Sequence, residues 1–120
     1  MAKKVAVMED TIFKSMTRSK GDVAGVFEYD GEVGFFYLFD LSREKGKQIA
    51  ESLFVNSENP DFHEADVSIK WSNAQEAVGL YIHGRLWAAF DLKGQKFGGH
   101  YGHGKLPEIP EEVLAKFHGL

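Results

Sequence analysis

The chain has no cysteine, which excludes disulfide staples, thiolate nucleophiles and cysteine-ligated metal centres together. Proline is scarce as well, with only three, at positions 60, 107 and 110. Only Pro60 among them falls within the first hundred residues. A surplus of basic charge is also missing. Lys and Arg number 14 against 18 Asp and Glu, giving a net charge of −4 and a pI near 5.7. A nucleic-acid binder would normally show a basic stripe, so no nucleic-acid partner is expected. No apolar run approaches the roughly 20 residues of a membrane-spanning helix, so no membrane association is expected either. Residues 1–4 are basic, but Glu9 and Asp10 arrive before an apolar leader core can develop, which predicts a cytoplasmic chain. At 120 residues the expectation is a single domain over positions 1–120, large enough for a real core. Neither a repeat nor a linker divides it.

The residues that are present centre on positions 77–97. His83-Gly84 and Lys93-Gly94 sit between runs of aliphatic and aromatic residues. Each pair supplies the positive φ that a two-residue hairpin loop demands, so three antiparallel strands are predicted. With both loops two residues long, Ile82 faces Arg85, Leu80 faces Trp87, Val78 faces Ala89, Asp91 faces Lys96 and Trp87 faces His100. The other side then carries Tyr81 with Leu86, Ala77 with Phe90 and Phe90 with Phe97. A one-residue slip would exchange the two sets. Gly79, Gly98 and Gly99 are poor strand residues, and bending or close approach is their expected use.

Upstream, residues 3–8 and 11–16 are two short strand candidates. Residues 23–29 and 33–40 form a further hairpin around Asp30-Gly31. The run Phe35-Phe36-Tyr37-Leu38-Phe39 suits a strand buried on both faces. Ser42 looks like an N-cap, and Ile49, Ala50, Leu53 and Phe54 recur at helical spacing, which predicts a helix over residues 44–54 despite Gly46. Residues 55–64 read as loop. Val67, Ile69 and Trp71 alternate with Ser68, Lys70 and Ser72, the signature of a half-buried strand that should pair with residues 77–82. Pro110, Glu111 and Glu112 start a C-terminal helix whose stripe is Val113, Leu114 and Phe117. The predicted fold is α+β: one strongly twisted antiparallel meander of about six strands, with one internal helix and a C-terminal helix.

Residues 96–104 are the most unusual stretch chemically. His100 and His103 are candidate metal ligands, with Asp91 or Glu108 as a third. In a continuing strand, however, side chains three apart point to opposite faces, so the spacing counts against a site. The glycines of this stretch follow a strand rather than feed a helix, unlike a phosphate-binding loop. No G-x-S-x-G or comparable nucleophile setting exists. Neither a catalytic residue nor a cofactor is implied. Trp87, His100, Tyr101 and Arg85 form the candidate ligand or partner face.

Two segments carry a resemblance. Residues 26–37, V-F-E-Y-D-G-E-V-G-F-F-Y, resemble the F-E-x-D-G-E-x-G-x-F-Y stretch of a family of small bacterial proteins classed as domains of unknown function. V-S-I-K-W-S at 67–72, I-H-G at 82–84 and A-F-D at 89–91 are similar to that family's I-x-W-S, I-N-G and A-V-F-D pattern. The resemblance spans roughly residues 23–101 and implies a shared fold. It brings no established activity, cofactor or partner. Small size, acidic balance and surplus aromatics together favour a non-enzymatic binding or regulatory module. It would be one that neutralises a basic protein partner, as immunity proteins do, or that pairs with itself as a homodimer through an edge strand. The alternative is a small enzyme or ligand-binding protein with a pocket near Trp87, His100 and Tyr101.

Overall fold

A computed structural model describes residues 11–102 and 104–120. The strand candidate at residues 3–8 and His103 lie outside the described residues. The described chain forms eight strands: β1 (Ile12–Thr17), β2 (Val23–Tyr29), β3 (Gly34–Asp40), β4 (Ile49–Asn56), β5 (Val67–Trp71), β6 (Ala77–Ile82), β7 (Arg85–Asp91) and β8 (Lys96–Gly98). A 3-10 turn at Glu64–Asp66 precedes β5, and one short helix, α1 (Glu111–Ala115), lies near the C-terminus.

The strands divide into two four-stranded antiparallel sheets in sequence order, β1-β2-β3-β4 and β5-β6-β7-β8. The six-stranded single meander is thus corrected. β4 and β5 share no ladder, and the inner faces of the two sheets pack on each other instead. Phe27, Phe36, Leu38 and Val55 from the first sheet meet Ile69, Val78, Leu80, Trp87 and Phe90 from the second in one cluster. The rings of Phe36 and Phe90 lie 5.1 Å apart at its centre. Trp71 joins the sheets at one side by donating its indole N–H to the Met16 carbonyl at 2.8 Å.

The internal helix over 44–54 is also corrected: that sequence is a loop followed by β4. Gly46 has φ +90°, which ends any right-handed turn. Ser42 does not cap a helix; its N–H and hydroxyl both donate to Asp40 Oδ1, at 3.0 and 2.6 Å, in a side-chain-closed turn. The helical spacing of Ile49, Ala50, Leu53 and Phe54 has a strand explanation. The β3–β4 register shifts between Leu38 and Phe39 and again between Gly34 and Phe35. An extra residue in a ladder shifts the phase of a two-residue repeat.

The first hairpin of the 77–97 region is as the glycine implied, with His83 at φ +53° and Gly84 at φ +77° and Ile82 opposite Arg85. Tyr81 faces Leu86, but the register then slips by one, so that Leu80 faces Ala88 and Val78 faces Phe90. Leu80 and Trp87 still share the inner face, and Phe90 joins them there rather than on the outside. The second turn has three residues between its closing pair: Asp91 N–H donates to the Gln95 carbonyl at 3.2 Å, with Gly94 at φ +88°. This is the three-residue hairpin with a left-handed glycine. It brings Phe90 opposite Lys96 and Ala88 opposite Gly98. Lys96 consequently pairs not with Asp91 but with Glu51 of β4, Nζ to Oε1 3.3 Å.

Gly98 and Gly99, at φ +70° and +103°, turn the chain out of the second sheet. A Cβ on Gly98 would collide with the Trp87 carbonyl oxygen, so the corner needs glycine for space as well as for φ. Beyond it, His100 and Tyr101 donate their backbone N–H groups to the Phe54 and Val55 carbonyls at 3.0 and 2.6 Å. The C-terminal end of the β4 edge is covered this way.

The outer face of the second sheet is covered by the C-terminal segment. Val113 and Phe117 pack on Ala77, Leu86 and Ala89, with Tyr81, Phe97 and Ile109 around them. Gly79 permits the approach: a Cβ there would lie 3.2 Å from the Phe117 ring and would collide with Leu86.

Candidate functional site

The residues singled out from sequence separate in space. Trp87 is buried inside the sandwich, and the ring of Tyr101 meets it edge-on at 4.6 Å. Tyr101 also packs edge-on against Phe62 at 5.2 Å. His100 turns the other way, onto the ring of Phe54 at 5.2 Å, and Arg85 is exposed at the start of β7. Trp87 and Tyr101 therefore belong together, whereas His100 belongs to the first sheet and Arg85 to a hairpin end.

Around Tyr101 the fold assembles groups that no motif announces. Its hydroxyl donates to Asp61 Oδ1 at 2.5 Å. Burial, followed by the Asp61 contact, pushes the Tyr101 phenol well above its ordinary range, so it stays a proton donor. His83 stands beside the same acid, with Nε2 3.2 Å from the Asp61 carbonyl oxygen and 3.7 Å from its carboxylate. On its other side Nδ1 lies 3.7 Å from Asp66 Oδ1. The left-handed φ of His83 in the β6–β7 turn aims the ring at the 61–66 segment. The imidazole thus stands between two carboxylates. No sequence signal points to it, because Asp61 and Tyr101 are forty residues apart. Among the described residues no group of three or more His, Asp or Glu side chains is arranged to hold a metal ion.

The second feature is the outer face of the first sheet. The ladder places Phe13 opposite Glu28, Val26 opposite Tyr37, Phe35 opposite Phe54 and Phe39 opposite Ile49, all on this side. Phe35 stacks on Tyr37 at 6.0 Å and meets Phe54 edge-on at 5.8 Å. Phe13 is 62% exposed and Ile49 51%, and Val26, Phe35, Tyr37, Phe39 and Phe54 are half-buried by one another. The 35–39 run is therefore not buried on both faces. Its inner members Phe36 and Leu38 are buried in the core, while Tyr37 and Phe39 line an open apolar hollow of about 380 Å³ with Phe13, Val26 and Ile49.

The charges around this face are polarised along the strands. The β2–β3 end carries Glu28, Asp30 and Glu32. Asp30 Oδ1 accepts from the Val33 and Glu32 N–H groups at 3.0 and 2.9 Å, and these bonds hold its carboxyl below the usual range. The opposite end, formed by the loops after β1 and β3, carries Arg18, Lys20, Arg43, Lys45 and Lys47 against Asp22, Asp40 and Glu44. Each of those three acids has an ion-pair partner, at 2.8, 3.5 and 3.8 Å, so this end keeps a positive surplus.

The class of protein defined by these features is a two-sheet antiparallel sandwich with one outer face covered by its own C-terminal helix and the other aromatic. Within that class, residues 5–116 match the family described as an uncharacterized protein conserved in bacteria (DUF2251), and the chain belongs to that family. No curated protein and no solved structure matches it. The residues of the 67–72 segment fall on structural positions: Ile69 and Trp71 in the core, and Ser72 Oγ accepting the Glu76 and Ala77 N–H groups at 3.1 Å in the β5–β6 turn.

Proposed function

We propose that this domain is a non-enzymatic binding module of the bacterial cytoplasm that holds a protein partner against the outer face of its first sheet. The observation that carries this reading is the continuous aromatic surface of Phe13, Phe35, Tyr37, Phe39 and Phe54 in a chain whose other sheet covers its own outer face. Extended apolar patches with aromatic side chains are characteristic of contact surfaces rather than of solvated ones. His100, seated on Phe54, extends the surface at the β4 edge. Trp87 and Tyr101 belong to the inner core instead, and Arg85 lies at a separate hairpin end.

The test is affinity capture from a lysate of the native bacterium with the wild-type chain and with a Tyr37→Glu, Phe39→Glu variant shown to be folded. A partner kept by the first and lost by the second supports the reading; equal retention by both contradicts it. A small enzyme or ligand-binding protein remains the rival, favoured by the Tyr101, Asp61 and His83 arrangement. Against it, the rings of Trp87, Tyr101 and Phe62 are packed on one another, and among the described residues no nucleophile accompanies the imidazole. A thermal-shift screen with metals and metabolites separates the two, because a ligand at many times its Kd adds kilocalories of stability.

A further inference from the structure

We infer that the occupant of the first sheet's outer face is a second copy of this chain, packed face to face about a two-fold axis that runs across the strands. This rests on the reading of that face as a contact surface and goes further by naming what covers it. Three observations argue for self-association.

The surface is a sheet face, and two such faces stack with their side chains interdigitated about 10 Å apart. Its outer residues, aromatic and aliphatic with Ser15 and Ser52 between them and Glu28 toward one end, give it an uneven relief that a second copy can fill.

The size is right for a modest dimer. Four strands of about seven residues span roughly 19 by 23 Å, or about 440 Å² in projection. Two copies with protruding side chains then bury about 1,000–1,200 Å², at the lower edge of stable interfaces. A concentration-dependent dimer is the expected form.

The charge pattern chooses the symmetry. An isologous interface must be complementary to itself. With the axis across the strands, the acidic end of one copy (Glu28, Asp30, Glu32) lies over the basic end of the other (Lys45, Lys47), and the same contact occurs twice. With the axis along the strands, like charges would meet at both ends. This arrangement needs no edge strand.

Sedimentation equilibrium up to millimolar concentration tests the proposal with four folded proteins. The wild type should dimerise, and Tyr37→Glu with Phe39→Glu should weaken the dimer by about 100-fold. The pair Glu28→Lys, Glu32→Lys should weaken it by about tenfold, and so should the pair Lys45→Glu, Lys47→Glu, since each places like charges together twice. Mixing these two charge variants should restore a heterodimer of near wild-type strength, because each reversed end then meets its opposite. Far-ultraviolet circular dichroism and thermal melts confirm that every variant is folded. A wild type that stays monomeric, or charge variants that do not recover on mixing, would overturn the inference. In that case, a captured partner that the Tyr37, Phe39 variant loses would still uphold the wider reading of the face. A face variant that dimerises as well as the wild type would sink the inference, and undiminished capture by it would sink both.

Discussion

The two outer faces of the sandwich were built to similar apolar standards but meet different fates. On the second sheet, Ala77, Leu86 and Ala89 lie beneath Val113 and Phe117 of the chain's own C-terminal segment, and all five are buried. On the first sheet, Phe13, Tyr37 and Phe39 face outward, and no helix among the described residues crosses them. The residue sizes reflect this. Where the C-terminal helix lies, the covered face is built from Ala77, Ala89 and Gly79, which leave room for it to approach, with Tyr81 and Phe97 packed against the same cluster; the other face presents rings to solvent. Small residues make way for a layer already present in the chain, and large flat ones provide area for a layer that comes from outside.

Substitutions on the shared inner face should have the largest effect and serve as the reference for both sheets. Phe36→Ala or Phe90→Ala removes one member of the central ring pair and should cost about 3–5 kcal/mol in urea unfolding. Trp71→Phe keeps the burial but loses the indole bond to the Met16 carbonyl across the sheets. It should cost about 1–2 kcal/mol, and amide exchange in β1 should accelerate. If β1 exchange were unchanged, the sheets would be joined elsewhere.

Lowering the pH probes the basic end of the open face. Asp22 and Asp40 are both held below the usual carboxyl range, Asp22 first by its Arg18 bond and Asp40 first by the Ser42 hydroxyl. Asp30 at the other end is depressed by backbone N–H groups. A carboxyl with a lowered folded pKa contributes stability above its unfolded value, near 4, and that contribution is lost as the pH falls through the folded value. The melting temperature should therefore decline below about pH 4 and stay level from there toward neutrality. Asp22→Asn should flatten that decline. A single Phe13→Ser on the open face, where the ring is 62% exposed, should change monomer stability least, by about 0.5 kcal/mol or less.

Much of the hairpin structure was legible in the sequence, because it depends on local chemistry. His83-Gly84 adopts the positive φ that a two-residue turn needs, and the alternation of residues 67–72 puts Val67, Ile69 and Trp71 inside. The division into two sheets was not legible, since nothing between Asn56 and Val67 tells a reader that β4 and β5 are not hydrogen-bonded neighbours. Residues 49–54 imitate a helical repeat because their ladder is irregular. The slip after Tyr81 comes from a bulge with no marker residue. Of the site, Trp87 and Tyr101 are recognisable as companions. His83 and Asp61 meet only through a turn and a loop that spacing cannot align. The outer aromatics resemble a second core because a run of five apolar residues looks the same whether its far side faces protein or solvent.

The most direct test places the same charge on each outer face in turn. Urea unfolding of Phe117→Asp and Phe39→Asp, at concentrations where the protein is monomeric, should show a loss of about 3 kcal/mol or more for the first and only about 1 kcal/mol for the half-buried second. Equal losses would mean that the first sheet's face is already covered within the monomer, and the contrast between the two faces would be gone.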